Sequence, residues 1–412
     1  SGLTGFALDI WVFLETGSVT LFGFIAVLGV LPNIIISPFA GAIVDRSDRK
    51  KVMIISDSVV ALCTLALAYL LFTEQLAVFH VGIITTIMSA AGAFQRPAYV
   101  ATTPLLVPKR HYERINGIAA MIGAAAQILA PTMAAFLILA IDLWGILVVD
   151  FVTYLIALVI IWQIHIPRPK ATAAGQTEKK SLWQEVVHGW RYLTTRAGLF
   201  ALMIFSTLSN FIVGVLVTLM TPMALSLYDA RVLGLALSSG GIGVLAGGLL
   251  MTFWRGPKKR IWGILIVHFL GGLAVLVAGL EPVPTVFYIV AFFFFMGIPI
   301  TDGLASAIWY SKTAPDVLGR TRAVRQAFSW SLLPVSYLLS GVLADRVFEP
   351  LFAENGAWSG TFMGELIGIG PGFGIAFLFA LTGIVAMIQG MVGFLYPRLR
   401  HIEEELPDAV TE

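Results

Sequence analysis

The sequence has little charge and almost no cysteine. Only 12% of its 412 residues are Asp, Glu, Lys or Arg, whereas soluble domains carry about a quarter. Hydrophobic residues make up 58% and the mean hydropathy is +0.90, so the chain could not cover itself with polar surface and needs lipid as its solvent. The single cysteine, Cys63, excludes a disulfide within the chain and a cysteine-based metal site. A net charge of +2 is too small to indicate a nucleic-acid partner.

Nucleotide-binding and catalytic motifs are also missing. There is no Gly-x-x-x-x-Gly-Lys-Ser/Thr loop, so ATP does not drive this chain directly, and there is no His-Glu-x-x-His metal motif. The segment Gly241-Ile-Gly243-Val-Leu-Ala246 resembles a dinucleotide fingerprint, but it lies in a long apolar run with no strand before it. We interpret Gly243 and Gly247 as positions of close helix packing. The sequence therefore predicts no catalytic residue, no metal site, no cofactor and no enzymatic activity.

Apolar runs of spanning length recur along the whole chain. They are continuous rather than alternating, and too long for barrel strands, so they predict helices. The first run is shorter than the roughly twenty residues that a span needs, and we predict that this helix is truncated at its N-terminal end. The expected fold class is an all-α integral membrane protein with twelve transmembrane helices. Their predicted boundaries are residues 1–14, 20–44, 52–73, 78–105, 115–140, 143–164, 198–225, 232–254, 261–280, 285–310, 322–345 and 371–396.

Basic residues are distributed unequally between the two predicted sides of the membrane. All of the 26 Lys and Arg residues except Arg96, Arg231 and Arg346 fall in connections on one side, or at the adjoining span ends. Such a bias identifies that side as cytoplasmic. We therefore predict a multi-pass protein of the cell inner (plasma) membrane with both termini in the cytoplasm.

The longest predicted cytoplasmic connection divides the spans into two sets of six. We predict an N-terminal six-helix bundle over residues 1–164, a linker over 165–197, a C-terminal six-helix bundle over 198–397 and a cytoplasmic tail over 398–412. The linker contains an amphipathic helix, which either lies on the inner membrane surface or packs on the ends of the spans. Two bundles of this kind are typical of a transporter built from parallel repeats, with its site between them at mid-membrane.

A glycine and a charged cluster lie between the second and third spans. The segment runs from Gly41 through Asp45-Arg46 to Arg49 and Lys51, and it resembles the signature loop of the major facilitator superfamily. We expect Gly41 to let two helices approach closely. Asp45 would meet the positive end of the third span, and Arg46 and Arg49 would pair with it or with a neighbouring helix. We interpret these four residues as a conformational latch that forms and breaks.

Within that superfamily the whole chain resembles the branch of macrolide-efflux and enterobactin-exporter-like proteins. This resemblance implies a major facilitator fold and export of an amphipathic organic compound coupled to inward proton flow. It also implies alternating access, in which the two halves rock about a central site. The residues that carry it are Leu31-Pro32 with Pro38, Ser56-Asp57, Phe94-Gln95-Arg96-Pro97-Ala98, Asn116-Gly117 and Gly319-Arg320.

Ionisable side chains within the spans are functional candidates because they are costly in a membrane. Asp9, Asp302 and Asp150 are the candidates for proton coupling, and each could instead bond to a neighbouring helix. Asp302 follows Pro299 in a predicted break of the tenth span. Asp57 and Arg96 are predicted to form a buried structural pair.

Other candidates would line a substrate cavity. Asn33, Gln127 and Asn210 could orient a substrate, or simply bond across helices. Phe6 and Trp309 could give the cavity aromatic walls, although aromatic residues at helical spacing more often face lipid or another helix. We interpret His268 as a helix-contact residue.

Three functions remain open from the sequence. The first is proton-driven export of a macrolide-like drug or siderophore-like molecule, which fits the resemblance to drug:proton antiporters of multidrug resistance. The second is translocation of a lipid or lysophospholipid, for which Arg96 is the available phosphate-binding arginine. The third is a membrane sensor or scaffold that transports nothing. The expected partners are an amphipathic small molecule, protons and membrane lipids, with no nucleic acid, and the expected state is a monomer.

Overall fold

The computed structural model describes residues 2–106, 111–164, 182–254, 256–314 and 317–405. All regular structure in these ranges is helical. The chain divides into two compact units, residues 1–175 and 176–412.

The N-terminal unit contains five helical segments. They are α1 (Gly2–Thr16), α2 (Val19–Arg46), α3 (Arg49–Phe72), α4 (Val78–Leu106) and α5 (Tyr112–Gln163). The helix α5 changes direction at Asp142, where φ is 55° and ψ is 178°. It therefore covers both the fifth and the sixth predicted spans, which meet at this turn.

Side-chain caps set where the N-terminal helices begin. Ser18 accepts a hydrogen bond from the backbone N–H of Leu21 at 3.2 Å at the start of α2. Asp48 accepts from the N–H groups of Lys50 and Lys51 at the start of α3. Such caps satisfy backbone donors that have no partner within the helix. Branched and aliphatic side chains, including Ile25, Leu67 and Ile146, fill the core between the helices.

The C-terminal unit begins with the short helix α6 (Leu182–Thr194). Long helices follow: α7 (Ala197–Leu227), α8 (Ala230–Phe253), α9 (Arg260–Leu280) and α10 (Pro284–Lys312). The eleventh predicted span is divided at Leu332 into α11 (Leu318–Ser331) and α12 (Leu333–Leu343). A π-helical turn at Ala344–Phe348 leads to α13 (Glu349–Leu351), α14 (Phe362–Ile367), α15 (Phe373–Leu395), α16 (Pro397–Arg400) and α17 (Ile402–Glu405).

Ten helical segments in the described ranges are long and apolar enough to cross a membrane. The α1 helix, with 15 residues, is not among them. The count of twelve spans therefore stays a prediction, while the all-α membrane fold is confirmed. The turn at Asp142 joins two predicted spans into one apolar segment.

Close glycine contacts hold the C-terminal helices together. A Cβ added at Gly243 would collide with the carbonyl oxygen of Phe292, and one at Gly247 with that of Met296, so α8 and α10 touch backbone to backbone. A Cβ at Gly279 on α9 would lie 2.5 Å from the carbonyl oxygen of Ala376 on α15. The interpretation of Gly243 and Gly247 as helix-packing positions is confirmed.

The segment between α12 and α15 folds against the start of α15. The carboxylate of Glu349 accepts hydrogen bonds from the N–H groups of Gly372, at 3.1 Å, and Ile375, at 2.9 Å. Phe352 is fully buried, and its ring lies 5.2 Å from that of Trp358 and 5.4 Å from that of Phe377. This aromatic cluster and the carboxylate cap fix the segment on the helix that follows it.

Helix α6 packs on the C-terminal unit. The ring of Trp190 lies 6.1 Å from that of Phe200 on α7 and 5.7 Å from that of Phe328 on α11. Leu193 is fully buried. These contacts favour the second interpretation of this amphipathic helix, in which it packs on the ends of the spans.

Candidate functional site

A cavity of about 420 Å³ lies within the C-terminal unit. Its walls come from α7, α9, α10, α11 and α15, and they combine apolar, polar and charged side chains. The polar and charged members are Ser206, Ser209, Asn210, His268, Thr301, Asp302, Ser306, Arg322, Arg325, Gln326 and Ser329. Its size and mixed lining are those of small-molecule sites in proteins.

One face of α11 forms the charged wall. Arg325 and Gln326 each lie three or four residues from both Arg322 and Ser329, so the four side chains share a face of the helix and line the cavity together. Phe328 lies on a different face and contacts Trp190 of α6. The packing of Phe328 therefore sets the rotation of α11 that presents both arginines to the cavity.

Two residues of α10 face this charged wall. Trp309 is buried, and the guanidinium carbon of Arg325 lies 4.8 Å from the centre of its ring, a cation–π arrangement. Asp302 lines the cavity two turns earlier on α10, and its charge attracts that of Arg325. No salt bridge within 4 Å joins Asp302 to Arg325 among the described atoms, so both groups are available to a ligand.

The predicted break of the tenth span is wrong. Helix α10 continues through Pro299, and the hydroxyl of Thr301 donates to the carbonyl oxygens of Gly297 and Ile298 at 3.0 and 2.9 Å. Proline removes one backbone donor, but its φ suits a helix, so the helix can continue past it. Asp302 faces the cavity from a regular helix rather than from a break.

A hydrogen-bonded network includes two other cavity-lining residues, His268 and Ser209. Nε2 of His268 on α9 lies 3.0 Å from Oε1 of Gln389 on α15. Nε2 of Gln389 donates to the carbonyl oxygen of Phe205 at 2.8 Å and to Oγ of Ser209 at 3.0 Å, both on α7. Because the amide oxygen only accepts, the histidine nitrogen facing it is the donor. The network ties three helices together and confirms His268 as a helix-contact residue.

Three of the predicted site residues meet in this cavity. Asp302 and Trp309 come from α10, and Asn210 comes from α7. The side-chain amide of Asn210 donates to the carbonyl oxygen of Ser329 at 3.2 Å, which joins α7 to α11. The amide thus holds the arginine-bearing helix in place.

The remaining substrate-cavity candidates belong to the N-terminal unit. Asn33 is exposed on α2, and its amide oxygen accepts from the hydroxyl of Ser37 at 3.1 Å. Phe6 packs on the core of this unit. The side chain of Gln127 lies outside the described part of the chain.

The other two proton-coupling candidates also lie in the N-terminal unit. Asp9 is half-buried on α1. Asp150 is buried, and the hydroxyl of Thr4 donates to its Oδ2 at 2.5 Å. This bond joins α1 to the second part of α5. Asp150 therefore bonds to a neighbouring helix, which was the alternative to a role in proton coupling.

The predicted Asp57–Arg96 pair is replaced by another partner. Asp57 is buried, and the side-chain amide nitrogen of Gln95 donates to its Oδ1. Arg96 is exposed. One residue along a helix turns the side chain by about 100°, so Gln95 faces α3 and Arg96 points elsewhere. The structural role holds for Asp57, but Arg96 does not share it.

The predicted latch is described in part. Nη1 of Arg49 donates to the carbonyl oxygen of Ala101 near the end of α4 at 2.7 Å. The ammonium of Lys50 donates to the carbonyl oxygens of Trp162 and Ile164 at 2.8 and 2.7 Å. Cations suit such positions because the last carbonyls of a helix have no partner within it. The basic cluster therefore holds the ends of two neighbouring helices.

The predicted close helix approach at Gly41 is wrong within the N-terminal unit. A Cβ added at Gly41 would meet no described atom within 4 Å, so the close helix approach expected there is not found in this unit. The conformation of α2 near Gly41 is helical, and the glycine is not needed for contact with α3 or α4. The side chains of Asp45 and Arg46 lie outside the described part of the chain.

Sequence reasoning missed the two arginines of the cavity and Gln389. The charge bias predicts Arg322 and Arg325 as cytoplasmic charges at the start of the eleventh span. Their spacing of three residues, with Ser329 four residues further on, was the signal that they share a helix face. No group of three His, Cys, Asp or Glu residues in the described ranges could hold a metal ion.

The polar cavity lies among helices long and apolar enough to span a membrane, and comparisons with known proteins specify the class of the chain. The sequence model of the Major Facilitator Superfamily matches residues 1–337. The chain therefore belongs to the Major Facilitator Superfamily and is a membrane transporter, not an enzyme.

Two relatives and one solved structure illustrate this membership. The chain is 30% identical to macrolide efflux protein A of Streptococcus pyogenes over 81% of this chain and 83% of that protein. It is 29% identical to macrolide efflux protein A of Enterococcus faecalis over 75% and 97%. The fold matches a bacterial homologue of the human lysosomal transporter Spinster with a TM-score of 0.68 at 13% identity, covering 98% of this chain and 96% of that one.

Proposed function

We propose that this transporter is a secondary active exporter in the plasma membrane. Its substrate is an amphipathic or hydrophobic small molecule, and it exchanges that molecule for protons. The relatives named as macrolide efflux proteins support export, because their similarity covers most of the chain. The observation that carries the proposal is the cavity that brings Asp302, Arg325 and Trp309 together inside one helical unit.

Asp302 supplies the coupling between proton and substrate. Protonation removes the negative charge that attracts Arg325, so it changes the net charge of the cavity by one. A ligand bound between these side chains experiences that change directly. Asp9 is the candidate for the corresponding role in the N-terminal unit.

The basic cluster after α2 supports alternating access. Arg49 donates to the carbonyl oxygen of Ala101 near the end of α4, and Lys50 donates to the carbonyl oxygens of Trp162 and Ile164 at the end of α5. Charged hydrogen bonds at helix ends are strong enough to favour one state and few enough to break during a cycle. Rearrangement of these bonds would accompany opening and closing of the site.

Transport into proteoliposomes tests the proposal. Purified protein is reconstituted, a proton gradient is imposed, and accumulation of radiolabelled erythromycin is measured for the parent and for Asp302→Asn. We expect gradient-driven accumulation in the parent and a loss of at least about tenfold in the variant, the size of effect expected when a charged partner is removed. Asp229→Asn is the matched control, since Asp229 caps α8 outside the cavity and asparagine caps equally well.

Two results would contradict the proposal. Gradient-driven transport that survives in Asp302→Asn would remove Asp302 from the coupling. Movement of a fluorescent lysophospholipid between leaflets, with no accumulation of erythromycin, would instead support lipid translocation.

A further inference from the structure

We propose that Arg322 and Arg325 form a binding site for the acidic group, a carboxylate or a phosphate, of an amphipathic substrate. The inference rests on the proposed function, because it adds an acidic amphiphile to the substrates of the same cavity. A basic macrolide such as erythromycin has no acidic group and would meet the carboxylate of Asp302 instead. The inference predicts that an amphiphile with an acidic group binds better than the same amphiphile without one.

The cavity is lined by more positive than negative charges. Two guanidinium groups and one carboxylate line it, and His268 is engaged with Gln389. The described walls therefore carry one positive charge in excess. An uncompensated charge among membrane-spanning helices is costly, and a bound anion would compensate it.

Both guanidinium groups are available to bind an anion. Neither Arg322 nor Arg325 makes a salt bridge within 4 Å in the described part of the chain. The guanidinium carbon of Arg325 lies 4.8 Å from the centre of the Trp309 ring, and its N–H groups make no hydrogen bond among the described atoms. The planar fork of arginine matches the two oxygens of a carboxylate or phosphate.

The position of Arg325 shows that its charge belongs to the cavity and not to the membrane surface. Arginines near a span end often extend towards the membrane surface, where water solvates them. Arg325 is half-buried against Trp309, and Trp309 itself is only 4% exposed. The cation–π contact therefore holds the charge inside the cavity rather than at its edge.

The apolar wall accounts for the rest of the substrate. Ile264, Val267, Phe293, Phe294 and Ile298 line the same cavity. A volume of about 420 Å³ is within the range of sites for drug-sized molecules. An acidic head at Arg322 and Arg325 with an apolar body on this wall is the amphiphile that the cavity fits.

Binding of a matched pair of ligands tests the inference. Dansyl-labelled undecanoic acid and its primary amide are titrated against the protein in phosphatidylcholine nanodiscs. Energy transfer from tryptophan to dansyl reports binding, after subtraction of the signal from empty nanodiscs. We expect the acid to bind about tenfold more tightly than the amide, as one charge-assisted contact requires.

Three variants assign that preference to the arginines. The preference should fall to near unity in the double variant Arg322→Gln/Arg325→Gln and stay unchanged in Arg231→Gln, an exposed arginine of α8 outside the cavity. The single variant Arg322→Gln, at an exposed side chain, gives the test if the double variant does not fold. Equal binding of acid and amide by the parent, or a preference that persists in the double variant, would overturn the inference.

A second arm distinguishes a lipid headgroup from a free substrate as the source of the acidic group. Replacing part of the phosphatidylcholine by phosphatidylglycerol displaces the probe if the site takes lipid headgroups, and leaves binding unchanged if it takes a free amphiphile. Displacement supports a lipid headgroup as the acidic ligand, and unchanged binding together with the preference for the acid over the amide supports a free amphiphile. Failure of proton-coupled transport leaves this binding measurement intact, so the two proposals can fail separately.

Discussion

The two units of the chain differ in how their helices make contact. In the C-terminal unit, Gly243, Gly247 and Gly279 lie directly against the backbone of a neighbouring helix. In the N-terminal unit, a Cβ added at Gly5 or Gly92 would meet no described atom within 4 Å. Close backbone packing through glycine therefore joins the C-terminal helices, whereas side chains fill the space between the N-terminal helices.

The units also differ in what their intramembrane carboxylates contact. In the N-terminal unit, two of the intramembrane carboxylates each join two helices, because Asp57 accepts from Gln95 and Asp150 accepts from Thr4. In the C-terminal unit, Asp302 and Arg325 line a cavity without a salt bridge between them among the described atoms. A charge in a span indicates function when it faces a cavity, and helix packing when a neutral donor already occupies it.

The largest expected effect tests the glycine contrast at two adjacent positions of α8. A methyl group at Gly247 would collide with the carbonyl oxygen of Met296 and lie 2.8 Å from Cγ of Pro299, whereas one at Gly248 would meet nothing within 4 Å. We expect Gly247→Ala to lower the free energy of unfolding by about 1–3 kcal/mol through overpacking. Gly248→Ala should raise it by about 0.5–1 kcal/mol, since alanine loses less backbone entropy. Thermal unfolding of purified protein in detergent measures both.

Gly5→Ala in the N-terminal unit is the matched control for the contrast between units. Its surroundings are open, so its result should resemble that of Gly248→Ala. Equal stability of Gly247→Ala and Gly248→Ala would contradict the backbone contact between α8 and α10 and remove the difference between the two units.

An effect of similar size tests the carboxylate contrast. Gln95→Leu leaves the buried Asp57 without its amide donor and should cost about 1–3 kcal/mol. Arg96→Gln, at the neighbouring exposed position, should change the free energy of unfolding by about 0.5 kcal/mol or less. Thermal unfolding of both variants gives the comparison. A greater loss for Arg96→Gln than for Gln95→Leu would restore the arginine as the partner of Asp57.

The sequence predicts the fold well because lipid imposes a simple rule. Long apolar runs must become helices in a bilayer, so the predicted spans over residues 20–44, 52–73 and 232–254 overlap α2, α3 and α8 closely. The same rule explains why Asp302 was recognised, since a carboxylate stands out in an apolar run. It does not say where one helix rotates against another.

The sequence does not determine how each helix is rotated about its axis, and therefore which side chains face the cavity or a neighbouring helix. Gln95 and Arg96 are adjacent, and only packing of α4 on α3 decides which of them reaches Asp57. From the sequence, Arg322 and Arg325 are predicted to lie in a cytoplasmic connection, because a basic cluster at the end of a span is usually cytoplasmic. Contacts of α11 with α6 and α7, through Phe328 and Asn210, turn both arginines towards the cavity. These contacts join residues more than a hundred positions apart, beyond the reach of local pattern.

The smallest expected effect comes from an exposed ion pair, which differs from the carboxylates that join helices and from the charges that line the cavity. Oε1 of Glu404 on α17 lies 2.7 Å from Nζ of Lys259, and both side chains are about half exposed. The hydrogen bond and the charge of Lys259 lower the pKa of Glu404 below its ordinary value. The pair therefore stabilises the fold fully above the ordinary glutamate pKa, and this contribution is lost as the pH falls through the lowered pKa.

We expect Glu404→Gln to be slightly less stable than the parent at neutral pH and low salt, with the difference vanishing in acid and in high salt. Thermal unfolding across pH and salt checks this. A difference that persists in acid would show that Glu404 acts through packing rather than through its charge.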